Sequence, residues 1–141
     1  MSFVVEAQLD LPAPPDRVFE AMCDHTRWPE WMPPTFAPLG PTVGRLTIGA
    51  RFKARVDRMP FPSLCEVTHF VRPHELTWCG GIGSLLKAEH RFFFDAHEGG
   101  TRVRSSEIWS GPLAAVASPF IKWRAKVVAG HQLAGLAKAL G

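Results

Sequence analysis

Residues 88–111, AEHRFFFDAHEGGTRVRSSEIWSG, read as two long strands joined by a tight glycine turn, and their phase decides the fold. In the first strand Ala88, His90, Phe92 and Phe94 share one face, while Lys87, Glu89, Arg91 and Asp95 share the other. In the second, Thr101, Val103, Ser105, Glu107 and Trp109 alternate with Arg102, Arg104, Ser106 and Ile108. Side chains on a strand point alternately to opposite faces, so the arginine-rich phase is the wet one. A turn at 97–100 pairs Ala96 with Thr101. It then sets Phe94 opposite Val103, Phe92 opposite Ser105 and His90 opposite Glu107. Opposed side chains interact directly, so a histidine and a glutamate are expected together on the buried face of an aromatic sheet.

Outward from this hairpin the pattern is consistent. Residues 3–11 alternate as a strand, with Val5, Ala7, Leu9 and Leu11 on one face. The segment around Val18, Phe19 and Met22 has helical spacing, and residues 26–34 add one more helical turn. The proline run 33–41 is expected to be an irregular connection. From Val43 to Gly111 the chain reads as β throughout, with turns at 59–63, 72–75 and 80–83. Short connections imply an antiparallel meander. Phe70 is an apolar exception in the wet phase of its strand. After Gly111 the period changes: Ile121, Ala125, Ala129, Leu133, Leu136 and Leu140 mark one long amphipathic helix over 118–140. The expected order is one strand, two short helices, six strands and a long terminal helix. The fold class is α+β, with a curved sheet wrapped around the terminal helix and a cavity where the two cannot pack tightly.

Composition bounds the function. The 141 residues suit a single domain, 1–141, and the net charge is +3 with no basic block, so nucleic acid is not an expected partner. No membrane-spanning run and no amino-terminal leader is read, so stable membrane insertion is not expected either. Three cysteines (Cys23, Cys65 and Cys79) without close spacing point to a reduced, cytoplasmic setting. No H-E-x-x-H, phosphate-loop context or serine-nucleophile signature occurs, so neither metal nor cofactor is expected.

Several ordered strings resemble the SRPBCC superfamily, which groups START-like, polyketide cyclase/dehydrase-like and birch-pollen-allergen-like helix-grip proteins. They are APPDRVFEAMCDHTRWPEWMPP (13–34), GRLTIGARFKARV (44–56), PHELTWCGG (73–81), EHRFFF (89–94) and GGTRVRSSEIWSG (99–111). The resemblance implies a container for lipids, polyketides or plant metabolites, with cyclisation or dehydration in some members and other roles in others.

The expected wall of that container places Phe52, His69, Trp78, Ala88 and Trp109 in one row. Val71, Leu76, His90 and Glu107 form the next, with Phe92 beside them. Trp28, Trp31 and their prolines are either a lid or an anchor on the core. Phe61, Leu64, Ile82 and Leu85 sit at loop tips that could touch a membrane or partner, or gate the cavity. For His90 and Glu107 three readings stay open: an acid/base pair, a satisfied internal pair, and a ligand anchor. Three functions follow. The first is binding of a small hydrophobic molecule, with Trp31, Phe52, His69, Trp78, His90, Phe92, Glu107 and Trp109 as contacts. The second is a cofactor-free cyclase or dehydratase using His90 as the proton-transfer residue with Glu107 to orient it. The third is a protein-interaction module on the basic sheet exterior of Arg51, Lys53, Arg55, Arg91, Arg102 and Arg104. Monomer and homodimer are both compatible with the chain.

Overall fold

The computed structural model describes residues 2–141. Strands β6 (Leu86–His97) and β7 (Gly100–Ser110) pair in the expected register, including Ala96 with Thr101 and His90 with Glu107. The two-residue loop Glu98–Gly99 has positive φ at both positions, 48° and 81°, the handedness that matches the twist of the flanking strands. Five more strands complete one antiparallel sheet: β1 (Ser2–Leu11), β2 (Phe36–Leu39), β3 (Arg51–Val56), β4 (Ser63–Val71) and β5 (Glu75–Ile82). The order is β1-β7-β6-β5-β4-β3-β2, a meander that β1 completes by pairing with β7.

The helices follow the expected order with one addition. Helix α1 (Pro15–Cys23), a 3-10 turn at His25–Arg27 and α2 (Trp28–Trp31) follow β1. A short α3 (Pro112–Val116), absent from the sequence reading, precedes the long α4 (Ser118–Leu140). The first two turns of α4 carry apolar side chains beyond the inward stripe, with Phe120 and Trp123 each about half exposed.

Four local expectations are corrected. The proline run contains β2, with Pro38 on an edge strand where a missing N–H costs least. Residues 43–50 are irregular, with a turn at Ile48–Gly49 and an isolated Asp24–Arg45 bridge. A bulge between Val67 and His69 reverses the phase of β4. Phe70 therefore turns inward against Phe19, at 5.3 Å between ring centroids, and His69 turns out to solvent. Strand β5 runs through Gly80 and Gly81 to Ile82, which pairs with Leu86. Trp78 thus faces His90, and Gly80 takes the place opposite Ala88.

Packing divides into two cores. The larger joins α1, α2 and the C-terminal half of α4 to the sheet through Phe19, Met22, Trp28, Phe92, Phe94 and Leu136. The smaller gathers Val5, Leu86, Trp109, Ala114 and Ala125 at the other end. Trp28 is fully buried and its indole N–H donates to the Met22 carbonyl at 2.9 Å. Helix α4 meets α2 closely at Gly135, where a Cβ would lie 2.3 Å from the Trp31 carbonyl oxygen. At Gly130 a Cβ would meet nothing. Gly130→Ala should therefore raise stability by about 0.5–1 kcal/mol through helix propensity, while Gly135→Ala should lower it by about 1–3 kcal/mol through overpacking. Urea unfolding of the two variants distinguishes these opposite signs.

Candidate functional site

The two cores leave a cavity of about 390 Å³ between them, within the range of small-molecule sites. It exists because facing positions are small: Ala117 and Ala125 on the helix side oppose Gly80, Gly81 and Ala88 on the sheet. Its walls are otherwise apolar, including Met59, Ile82, Leu86, Ile121 and Val128. The β3–β4 turn and α4 are tied at its rim by Arg124, which donates to both carboxylate oxygens of Asp57 at 2.9 and 2.8 Å. That guanidinium holds the Asp57 carboxyl below the usual carboxylate range.

The polar groups lie deep. His90 and Glu107 project inward from adjacent strands, each about 95% buried, with His90 Nε2 3.7 Å from Glu107 Oε1. That is beyond hydrogen-bond reach; His90 Nε2 instead meets Ser105 Oγ at 2.9 Å. The imidazole stacks on Phe92 at 4.2 Å and lies edge-on to Trp78 at 5.0 Å. Burial lowers its pKa to about 3, so the ring is neutral. Burial also lifts the Glu107 carboxyl to about 8, with the nearby Trp109 indole pulling weakly the other way. Neither Glu107 Oε1 nor Trp109 Nε1 completes a hydrogen bond of good geometry. Gln132 on α4 reaches the same cavity, fully buried, with both amide atoms unpartnered.

Of the eight sequence-derived contact residues, Trp78, His90, Glu107 and Trp109 line the cavity. Phe52 and Phe92 are buried in the larger core behind it. Trp31 packs against Gly135 and borders a separate surface groove with Glu20 and Arg45, so the tryptophan pair anchors the connection on the far side of the core. His69 is on the outer face, by the bulge described above. Gln132, Ser105 and the Arg124–Asp57 tether were not singled out from the sequence. Gln132 had a legible signal: it falls in the inward stripe with Ala125, Val128, Ala129, Leu133 and Leu136, where a polar residue is out of place. Cys65 also lines the cavity, but burial pushes its thiol up to about 11, unsuited to nucleophilic attack at neutral pH. Among the described residues no cluster of three or more potential metal ligands occurs.

A curled antiparallel sheet gripping one long helix over an apolar cavity defines a helix-grip container. The chain belongs to the polyketide cyclase / dehydrase and lipid transport family, whose model it matches over residues 2–141. Among solved structures it is similar to a hypothetical protein from Helicobacter pylori at 16% identity and TM-score 0.79, covering 99% of this chain and 88% of that one. A protein from Thermus thermophilus is similar at 18% identity and TM-score 0.76, covering 98% and 97%. The di-domain ARO/CYC protein BexL is similar at 16% identity and TM-score 0.70; the match covers 99% of this chain but only 50% of BexL. These identities establish the shared fold and no more. No curated protein matches the sequence.

The buried pair has a pH signature. Unfolded, Glu107 releases its proton near its ordinary value of 4.5, whereas the folded protein keeps it to about 8, so stability falls as pH rises through that window. His90 has the opposite slope between about 3 and 6.5, because only the unfolded chain takes up that proton. Above pH 6.5 the glutamate acts alone. From pH 6.5 to 8 stability should fall by up to ~2 kcal/mol, at ~1.4 kcal/mol per pH unit for one proton. Glu107→Gln should flatten that fall in urea unfolding; an unchanged slope would assign it to another group.

Proposed function

We propose that the protein binds one flat or elongated hydrophobic molecule in this cavity, with a single uncharged polar end seated among Glu107, Trp109 and Gln132. The observation that carries this reading is the set of unpartnered polar atoms deep in an apolar cavity. Leaving such a group unpaired costs about 1–3 kcal/mol, and a ligand hydroxyl, ketone or carboxamide recovers that cost on binding. Protonated Glu107 and the Trp109 indole offer donors, and the Gln132 amide offers both a donor and an acceptor. With His90 and Glu107 both neutral at pH 7, nothing at the deep end balances an anion.

A second reading is cofactor-free acid/base chemistry on a polyketide-like substrate. It is favoured by one observation: a carboxyl titrating near neutrality beside a polar neighbour is well matched to proton transfer. The electrostatics favour Glu107 as the proton carrier and His90, anchored by Ser105, as its positioning neighbour, the reverse of the division expected from the sequence. The sheet exterior supports the third reading least. Arg51, Arg91, Arg102 and Arg104 are each paired with a carboxylate, namely Glu66, Glu89, Asp10 and Asp95, so little net charge faces outward there.

Native mass spectrometry before and after denaturation should reveal a captured molecule by its lost mass. In titrations at pH 7, a long-chain alcohol should bind at least tenfold more tightly than its matching carboxylate; the opposite order would overturn the uncharged-end reading. Gln132→Leu should weaken the alcohol about tenfold while leaving the unliganded protein as stable or more so. If the protein turns over a substrate, Glu107→Gln should abolish turnover and preserve binding, whereas in a binding protein the same change acts on affinity alone.

A further inference from the structure

The cavity mouth carries more exposed apolar surface than closing a pocket requires. Phe61 in the β3–β4 turn, Leu85 in the β5–β6 turn, Leu113 in α3 and Phe120 in α4 all line the cavity. Yet they are 60%, 56%, 41% and 49% exposed. Trp123, 57% exposed, meets Phe120 edge-on with ring centroids 5.9 Å apart. These side chains come from four segments and converge around one opening. Scattered apolar residues are ordinary on a surface; a ring of them at a cavity entrance marks an interaction site.

The charges are distributed to match. Residues 57–64, 82–87 and 111–124, which build the mouth, contain Arg58, Lys87, Lys122 and Arg124 and one acidic residue, Asp57, which Arg124 holds. Four positive and one negative give +3. The rest of the chain then has 12 of each sign, from totals of 16 and 13. The whole formal excess of the protein therefore sits at this end.

We propose that the cavity mouth docks on an anionic lipid bilayer, with Phe61, Leu85, Phe120 and Trp123 entering the interfacial layer and Arg58, Lys87 and Lys122 meeting lipid phosphates. Apolar tips backed by lysine and arginine, with an outward tryptophan, suit the boundary between head groups and acyl chains. Charge argues against a second copy of the chain as the occupant, since self-association through this face brings +3 against +3. The proposed contact is peripheral, made by exposed side chains of turns and helix ends; no helix among the described residues is long and apolar enough to cross a membrane. Docking of this face does not depend on which molecule the cavity holds.

The test is co-sedimentation of the intact protein with phosphatidylcholine vesicles with and without phosphatidylglycerol. Binding is expected to the anionic vesicles and to weaken with added salt. Brominated lipid should quench part of the tryptophan fluorescence, and Trp123→Phe should remove that part. Phe61→Ser with Phe120→Ser should cost more than tenfold in vesicle affinity, with circular dichroism and melting unchanged. Arg58→Gln and Lys122→Gln should each cost about fivefold. Lys53→Gln, on the sheet exterior, should change nothing. The proposal is overturned by no binding to anionic vesicles at low salt, or by equal loss with Lys53→Gln. Self-association without vesicle binding, abolished by the double phenylalanine variant, would also overturn it and give the face to a second copy.

Discussion

The 23-residue helix α4 covers much of the inner face of seven strands, and one helix cannot touch a curled sheet along its whole length. The sequence resolves this by making contact in two places. Toward the C-terminus, Leu133 and Leu136 pack into the aromatic core around Trp28 and Phe19, and Gly135 lets α2 approach the α4 backbone. Toward the N-terminus, Ala125 joins a second core with Trp109 and Leu86. Between them the cavity is lined by Val128 and Gln132 on the helix and by Gly80, Gly81 and Ala88 on the sheet, whose small size leaves the space open. The cavity is what remains when both ends are packed and the middle is kept small. The Arg124–Asp57 pair keeps the β3–β4 turn registered to the helix at the edge of that space.

The polar groups of the molecule are handled in two opposite ways. On the outer face arginines pair with carboxylates across and along strands, in high dielectric, where each pair contributes little to stability and mainly limits net charge. On the inner face His90 and Glu107 shed their charges instead, because desolvation outweighs any attraction between them at 3.7 Å. A neutral imidazole beside a neutral carboxyl is compatible with an aromatic wall; an ion pair without further hydrogen bonds there is not. The same desolvation that neutralises Glu107 leaves it able to donate a hydrogen bond near neutral pH.

Much of this was readable in the sequence, for a definite reason. Strands β6 and β7 are long, alternate strictly and meet at a short turn, so the pairing of His90 with Glu107 follows from counting residues. Where that regularity breaks, counting fails. The bulge in β4 moved His69 out and Phe70 in, and the only trace was an apolar residue in the wet phase. Gly80-Gly81 resembled a turn by composition but lies in a strand, which displaced Trp78 by one row toward His90. Strand β2 was hidden by prolines that an edge can accept. Gln132 is masked by the leucines and alanines that share its helical stripe. The tether between Arg124 and Asp57 spans 67 residues of chain, and no local pattern announces it.

The two ends of the cavity differ in a way that constrains how any occupant sits. The deep end has unpartnered donors and acceptors and no charge, while the mouth is aliphatic and aromatic with cations outside it. In the proposed binding mode a molecule with one polar end lies with that end inward and its apolar part toward the opening. To arrive so, its polar end must first pass between Phe61, Leu85 and Phe120. For an anion that passage costs dearly, since Arg58 and Lys122 attract it at the entrance and nothing equivalent receives it inside. For a hydroxyl or ketone the cost is a hydrogen bond or two, returned at Glu107 and Gln132. On the proposed reading selection against charge arises twice, at the wall and at the destination, from the same scarcity of compensating groups in an apolar interior.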